Sequence, residues 1–412
     1  MSPVKTAPAQ LTAADVGLRA QYLEEVLGAL YPTASATAGR GAPRPDRVAD
    51  YVVVPDAKRP RLLVPLTSRR VAAAAVRRYA EPQGRLARLK REAVVAALRT
   101  GASAVLLRDR MRICGRADDT IDGYLREALG LDLALSIHIG PARANRKPVL
   151  QLLTPDGSTV GFAKVGTGDL TRRLVRAEAT ALTALTQQGL RHVSVPRVLH
   201  SGQWNGHEVL VQSALPVWLP RAPLSPDRLA AGMREVASAF AVRHGPLDDS
   251  PYWVDLRGRL VAVADQPDGA ALAAAAQTLV DRRGSTILRY GAWHGDWAPW
   301  NMAALADTLL VWDWERFTVG VPLGFDAVHH ELQRRIEGEP DAVAAVDRTV
   351  GLADDLLAGF DVEPAARRLT ALLYLVDLAA RYLADRQAEA GARLGVLGRW
   401  LLPVLIRRVG EL

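Results

Sequence analysis

The stretch His294-Gly295-Asp296-Trp297-Ala298-Pro299-Trp300-Asn301, followed by Val311-Trp312-Asp313-Trp314-Glu315, constrains this chain more than any other. It sets an Asp five residues before an Asn, and a second Asp at the end of the apolar run Thr308-Leu309-Leu310-Val311-Trp312. Taken singly, each polar residue reads as an ordinary turn former between two strands. Taken jointly, the three supply what phosphoryl transfer from ATP requires. One carboxylate orients an acceptor hydroxyl and takes its proton, a carboxamide oxygen holds Mg²⁺, and a second carboxylate bridges Mg²⁺ to the phosphates. Asp296, Asn301 and Asp313 have the residue types and spacing for those roles.

The D-x-x-x-x-N spacing is that of the kinase catalytic loop. Here His-Gly-Asp replaces His-Arg-Asp, and Asp-Trp-Glu stands where protein kinases carry Asp-Phe-Gly. This variant resembles the aminoglycoside phosphotransferase and choline kinase branch of the kinase-like superfamily. The resemblance is strong across 290–330 and extends back to residue 131. It implies that Asp296 is the catalytic base and that Asn301 and Asp313 bind Mg²⁺. It also implies that His294 braces the loop through hydrogen bonds. Asp326, in Gly320-Val321-Pro322-Leu323-Gly324-Phe325-Asp326, would buttress the loop as structural support.

A nucleotide-binding half must then precede this loop. Leu133 to Ile139 alternates as a strand and ends at Gly140, followed by the basic turn Pro141-Ala142-Arg143-Ala144-Asn145-Arg146-Lys147. A second strand runs from Val149 to Leu153. Pro155-Asp156-Gly157 turns it into a third, Val160 to Val165, which carries Lys164. A lysine leaving a half-buried strand toward a cleft is what α- and β-phosphates need. Its acidic partner is expected on the next helix, where Leu170 to Leu190 has helical spacing, Gly189 supplies a stop and Glu178 lies in the middle. No G-x-G-x-x-G motif is present, so backbone amides from Gly140 through 146, with Arg143, Arg146 or Lys147, are the candidates to cover phosphates. Glu208 to Gln212 reads as a strand ending at Ser213-Ala214-Leu215-Pro216, where proline stops pairing. By family position, adenine contacts fall near Gln212 and Ala214.

At 412 residues and 49% hydrophobic composition, the chain has room for two or three units with sizeable cores. No uninterrupted apolar run of membrane-spanning length occurs, and Met1-Ser2-Pro3-Val4-Lys5 lacks a signal-peptide core. Cys114 is the single cysteine, which excludes an internal disulfide and suits a reducing cytoplasm. The excess of Ala, Arg, Leu and Val fits a GC-rich bacterial genome. The net charge of +8 is uneven: residues 1–130 carry about +9 and residues 213–412 about −5. A basic leading segment could steer an anionic partner, but an Arg-rich, solvated surface is the favoured explanation. With no aromatic-interleaved basic motif or zinc-ligand spacing, no nucleic-acid partner is expected.

Residues 1–130 read as an N-terminal accessory domain. Helices are expected at Thr12–Leu30, from Ser68 through Ala80, at Arg85–Arg99 and at Asp118–Leu129. A linker spans Pro32–Pro45, and Tyr51–Val54 and Leu62–Leu66 form a hairpin around Pro55-Asp56-Ala57-Lys58. Residues 131–213 form the nucleotide-binding N-lobe and 214–412 the catalytic, acceptor-binding C-lobe. That last segment is expected to be helical at Ser225–His244, Asp341–Leu357, Pro364–Ala388 and Ala392–Val409, the last interrupted at Pro403. Five tryptophans lie in 293–314; most pack the loop, while one of Trp297, Trp300 or Trp314 could face an acceptor. In His329-His330-Glu331, two adjacent helical histidines point about 100° apart and do not readily share one metal ion.

The resemblance implies an α+β class, a bilobal protein-kinase-like fold with a small β-rich N-lobe, a mainly helical C-lobe and the accessory domain. The function expected is transfer of the γ-phosphate of ATP (or GTP), with Mg²⁺, to a hydroxyl of an aminoglycoside, sugar or related metabolite. Lys164 would clamp the phosphates, fixed by Glu178. Two alternatives stay open. One is a kinase acting on Ser or Thr of a ribosomal precursor peptide, with residues 1–130 reading an acidic leader. The other is a pseudokinase-type scaffold, which the missing glycine-rich loop keeps in view.

Overall fold

Along three neighbouring strands, Leu150 and Leu152, Ala163 and Val165, and Val209 and Val211 stand two residues apart, with Gln151, Lys164 and Leu210 between them. This period of two places them on one face of a sheet, inside a buried apolar cluster. The computed structural model describes residues 13–38, 47–79, 85–101, 107, 109–116, 119–140, 143–390 and 394–412. The expected residues Met1–Lys5, Thr12, 39–45 of the linker, Ala80, Asp118, Pro141-Ala142 and 392–393 lie outside the described residues. Two compact units divide the chain, one formed by Met1–Arg176 with Arg197–Trp218, the other by Ala177–Pro196 with Leu219–Leu412.

The first unit runs α1 (Ala13–Leu30), β1 (Ser35–Ala38), β2 (Arg47–Val54), β3 (Leu62–Pro65), α2 (Arg69–Tyr79), α3 (Arg85–Thr100), β4 (Arg110–Cys114), α4 (Ile121–Leu129), β5 (Ala134–His138), β6 (Val149–Leu153) and β7 (Thr159–Gly166). After α5 (Asp169–Thr186) and β8 (Val193–Ser194), β9 (Val198–Trp204) and β10 (His207–Ser213) complete it. One antiparallel sheet of nine strands, ordered β1-β4-β2-β3-β5-β6-β7-β10-β9, holds the unit together. Residues on both sides of position 130 share this sheet, since Leu62 and Leu63 of β3 pair with His138 and Ile137 of β5. One face carries the cluster that buries α1 residues Leu23 and Val26 and α4 residues Ile121 and Leu125. On the other, α2 and α3 bury Val71, Val76, Val95 and Leu98 with Leu62, Val64, Ala134 and Leu153. Cys114 is buried in β4.

The second unit contains α6 (Pro226–Ala237), β11 (Arg243–Pro246), α7 (Pro251–Ala262), α8 (Gly269–Arg283), β12 (Ile287–Trp293), β13 (Met302–Ala304), β14 (Leu309–Val311), β15 (Thr318–Pro322), α9 (Phe325–Gly338), α10 (Ala342–Gly351), α11 (Ala353–Leu357), α12 (Pro364–Ala384) and α13 (Leu402–Gly410). Its strands form two small sheets, β11-β12-β15 and β13-β14-β8. Helix α12 is its centre, because every residue from Leu369 to Ala380 is buried, as befits a helix apolar all round. Its one buried carboxylate, Asp377, is matched by a forked contact from Arg259, with Nη2–Oδ2 at 2.9 Å and Nη1–Oδ1 at 3.2 Å.

Several expected boundaries move. The helix expected over Ser225–His244 stops at Ala237, and Arg243–Pro246 instead pairs with Tyr290–Ile287 as an edge strand. Gly245-Pro246 cannot continue a helix. The helix over Asp341–Leu357 breaks at Leu352, and that beginning at Pro364 ends at Ala384. Helices α7 and α8 were not anticipated, although Ser250 caps α7, accepting from Trp253 N at 3.1 Å ahead of Pro251. Among the described residues, no helix is long and apolar enough to cross a membrane.

Candidate active site

The 294–301 loop is built around a glycine that nothing else can replace without displacement. Gly295 sits at φ +83°, and a Cβ there would lie 2.3 Å from the Arg316 carbonyl oxygen. The neighbouring His294 is fully buried and neutral, because burial pushes its imidazole down to about 4. A single tautomer serves both of its contacts: Nδ1 accepts the Asp296 N–H at 3.1 Å, and Nε2–H donates to the Trp312 carbonyl at 3.1 Å. His294 therefore ties the loop to the end of the β14 segment. Its ring packs edge-on against Trp314, with centroids 4.4 Å apart.

Below the loop, Asp326 at the start of α9 accepts two backbone N–H groups, from His294 at 2.7 Å and Gly295 at 3.3 Å. Burial nevertheless pushes its carboxyl up to about 7, against the pull of those two amides. Arg381 of α12 donates Nη1–H to the Gly295 carbonyl at 2.5 Å. Loop residues 294 and 295 are thus held through their backbones from two helices.

Asp296 itself keeps 32% of its side chain exposed. Asn301 donates its Nδ2 to the Asp296 carbonyl at 2.9 Å and to Oδ2 at 3.0 Å. Both partners are acceptors, which fixes the orientation of the Asn301 amide and leaves Oδ1 outside these bonds. The other carboxylate oxygen, Oδ1, faces His329 Nε2 at 3.1 Å. Burial alone would raise the Asp296 carboxyl; the hydrogen bond from His329 and the charge of Arg381 outweigh it and hold the group below the usual carboxylate range.

Asp313 follows β14 in the left-handed region at φ +73°, a conformation that costs a non-glycine residue and is kept where surroundings enforce it. Trp314 enforces it from one side, fully buried, with Nε1–H donating to Val311 O at 2.9 Å and its backbone N–H donating to Glu178 Oε1 at 3.2 Å. Carboxylate oxygens of Glu178, Asp313 and Glu315 lie within 4.8 Å of one another.

The remaining sequence candidates lie in the first unit. Lys164 is buried in β7, paired with Val149 on one side and Leu210 on the other. Gln212 is buried near the end of β10 opposite Phe162, and Ala214 N–H donates to Val160 O at 3.4 Å. Gly140 lies two residues beyond the end of β5. The guanidinium of Arg146 lies 3.4 Å over the Tyr22 ring, so that side chain is turned toward α1. Lys164 belongs to the first unit and Glu178 to the second.

Trp297 and Trp314 are fully buried and pack the loop, whereas Trp300 is 42% exposed. Sequence reasoning considered His329 only as a metal ligand, which it disfavoured, and did not name Tyr374 or Arg381. His329 was legible in principle, because it lies one helical turn after Asp326 and so shares a face with it. Arg381 and Tyr374 come from α12, distant in sequence, and carry no local signal. His329 and His330 do not converge on one site: His330 Nδ1 faces the Trp297 carbonyl at 3.1 Å.

Residues 162–330 match the model of the phosphotransferase enzyme family. No curated protein sequence matches the chain. Among solved structures, the chain is similar to one described as a fructosamine-3-kinase from Thermobifida fusca YX-ER1, at 17% identity over 71% of this chain and 99% of that one, with a TM-score of 0.44. It is also similar to a thermostable mutant of aminoglycoside phosphotransferase APH(4)-Ia, at 15% identity over 70% and 98% of the two chains and a TM-score of 0.42. A third is choline kinase LicA from Streptococcus pneumoniae, at 13% identity over 64% and 90%, with a TM-score of 0.42. Residues 162–330, which include Lys164, His294, Asp296, Asn301, Asp313 and Asp326, thus match the phosphotransferase enzyme family within a chain of the α+β class.

Proposed function

We propose that this phosphotransferase moves the γ-phosphate of ATP or GTP to a hydroxyl of a small molecule, of the aminoglycoside, sugar or related metabolite class. The observation that carries the reading is the state of Asp296. A general base must be ionised, ordered and reachable. Asp296 meets all three conditions, with its carboxyl held below the usual range, both oxygens fixed by donors and a third of the side chain open.

In this reading the acceptor O–H lies against the Asp296 carboxylate. As the acceptor oxygen bonds to the γ-phosphorus, the bond from phosphorus to the β,γ-bridging oxygen breaks. The electron pair leaves with ADP or GDP, and the acceptor proton passes to Asp296. Lys164 is proposed to bind phosphate oxygens. Backbone groups at Gly140 and along Gln212–Ala214 are proposed to hold the nucleotide.

The residues present fit a magnesium ion. Asn301 commits its amide nitrogen to Asp296, leaving a carbonyl oxygen, and Asp313 adds a carboxylate near those of Glu178 and Glu315. An all-oxygen set is what Mg²⁺ takes. Asn301 and Asp313 would hold it, and when bound it would offset phosphate charge.

The test is Mg²⁺-dependent ADP or GDP release, screened against glucosamine, spectinomycin, choline, free sugars and Ser/Thr peptides. Stimulated release with a small polyol or amino sugar is the expected result. Stimulation by peptides alone would overturn the acceptor class. A protein that neither binds nucleotide nor releases product would overturn the reaction.

A further inference from the structure

Only two side chains among the described residues hydrogen-bond the Asp296 carboxylate, and they come from different places. Asn301 holds Oδ2 from within the loop, whereas His329 reaches Oδ1 from α9, 33 residues away. Asp326, Arg381 and His330 surround the same loop and His294 lies within it, but their hydrogen bonds to it all end on backbone atoms. His329 alone reaches the carboxylate from outside the loop.

Its own surroundings leave it little freedom. The side chain is 1% exposed, and its ring meets those of Trp293 and Tyr374 edge-on, with centroids 6.4 and 5.8 Å away. The second nitrogen, Nδ1, lies 2.9 Å from the Tyr374 hydroxyl, itself fully buried in α12. A tyrosine hydroxyl carries one proton. When that proton is donated to Nδ1, the imidazole proton sits on Nε2, where it donates to Asp296. The opposite tautomer would aim a lone pair at a carboxylate.

We infer that His329 is the positioning residue of Asp296, and that Tyr374 sets the His329 tautomer for that task. The inference rests on the phosphotransfer reading given above. Asp296 is about one-third exposed and short, with two side-chain torsions, so an unheld carboxylate would sample rotamers that miss the acceptor hydroxyl. The bond to Asn301 restrains one oxygen; the bond to His329 restrains the other and fixes the plane. A misplacement of about 1 Å in a reacting group is enough to cost on the order of 10²-fold in rate. A histidine that merely fills the core would instead affect stability and leave turnover intact.

Three variants separate these roles: His329→Leu, His329→Gln and Tyr374→Phe. They are compared with wild type for ADP release with the best acceptor from the panel above, for nucleotide KM and for melting temperature. His329→Leu should lower kcat by about 10²-fold while nucleotide KM stays within about threefold. His329→Gln, whose amide N–H can replace Nε2–H, should recover about tenfold of that loss. Tyr374→Phe should fall between wild type and His329→Leu. Wild-type kcat in His329→Leu would overturn the inference, as would kcat losses that track melting temperature with no recovery by glutamine. If wild type itself releases no ADP with any acceptor or with water, the phosphotransfer reading falls, and this inference falls with it.

Discussion

The 294–301 loop and helix α9 act on the same carboxylate, yet they were readable to very different degrees. In the loop, the chemistry is local: Asp296 and Asn301 are five residues apart and bond directly. In α9, the chemistry is remote: Asp326 and His329 meet the loop across 31 to 33 residues. The difference teaches that polar partners close in sequence can be found by spacing, while the groups that reach them from elsewhere are found by topology.

That contrast can be broken from either side. The largest stability effect is expected inside the loop, where Trp297 is fully buried and donates Nε1–H to Met302 Sδ at 3.3 Å. Trp297→Ala should cost about 3–5 kcal/mol in unfolding free energy. Trp300→Ala, at an exposed ring three residues away, should stay within about 0.5 kcal/mol. Chemical denaturation of both variants checks this; equal losses would mean that the loop is not packed as described.

On the helix side, Asp326→Ala should cost about 2–3 kcal/mol, because it leaves the His294 and Gly295 amides without their acceptor. The same denaturation curves measure it. A variant as stable as wild type would remove Asp326 as the brace of the loop.

A smaller effect concerns pH. His294 falls from 6.5 to about 4 in the folded protein, so the unfolded chain binds more protons between those values. Its contribution to stability is therefore present above pH 6.5 and lost as pH falls through about 4, with a slope approaching ~1.4 kcal/mol per pH unit. Asp326 acts in the opposite sense. Raised from 3.8 to about 7, it contributes below its unfolded value and loses that contribution as pH rises through about 7. Comparing wild type with His294→Asn isolates the histidine: the variant should lose the acid-side slope between pH 6.5 and 4 while keeping the rest. Identical profiles would show that His294 titrates normally.

Much of the fold was legible because its signals were short-ranged. The β6–β7 hairpin follows from Pro155-Asp156-Gly157, with Gly157 at φ +81° and its N–H donating to Thr154 O at 2.8 Å. Strand β10 likewise follows from its apolar run and helix α5 from its periodicity. Strand partners across long separations were not legible. Nothing in Leu62–Pro65 announces that it pairs with β5, so the sheet's continuation across residue 130 could not be read. The left-handed backbone at Asp313 was also invisible, because tertiary packing by Trp314 imposes it against local preference. At the candidate site, Asp296, Asn301, Asp313, His294 and Asp326 were all named from sequence. The bonds from His329 to Asp296 and from Arg381 to the Gly295 carbonyl, and that from Tyr374 to His329, depend on where α9 and α12 pack.

The central claim is that Asp296 takes the acceptor proton while other groups bind the nucleotide. The most direct test is to measure ADP release and nucleotide affinity together in wild type and Asp296→Ala. Loss of turnover by about 10²- to 10⁴-fold, with nucleotide affinity within a few-fold, is the predicted result. Turnover retained in Asp296→Ala would contradict it.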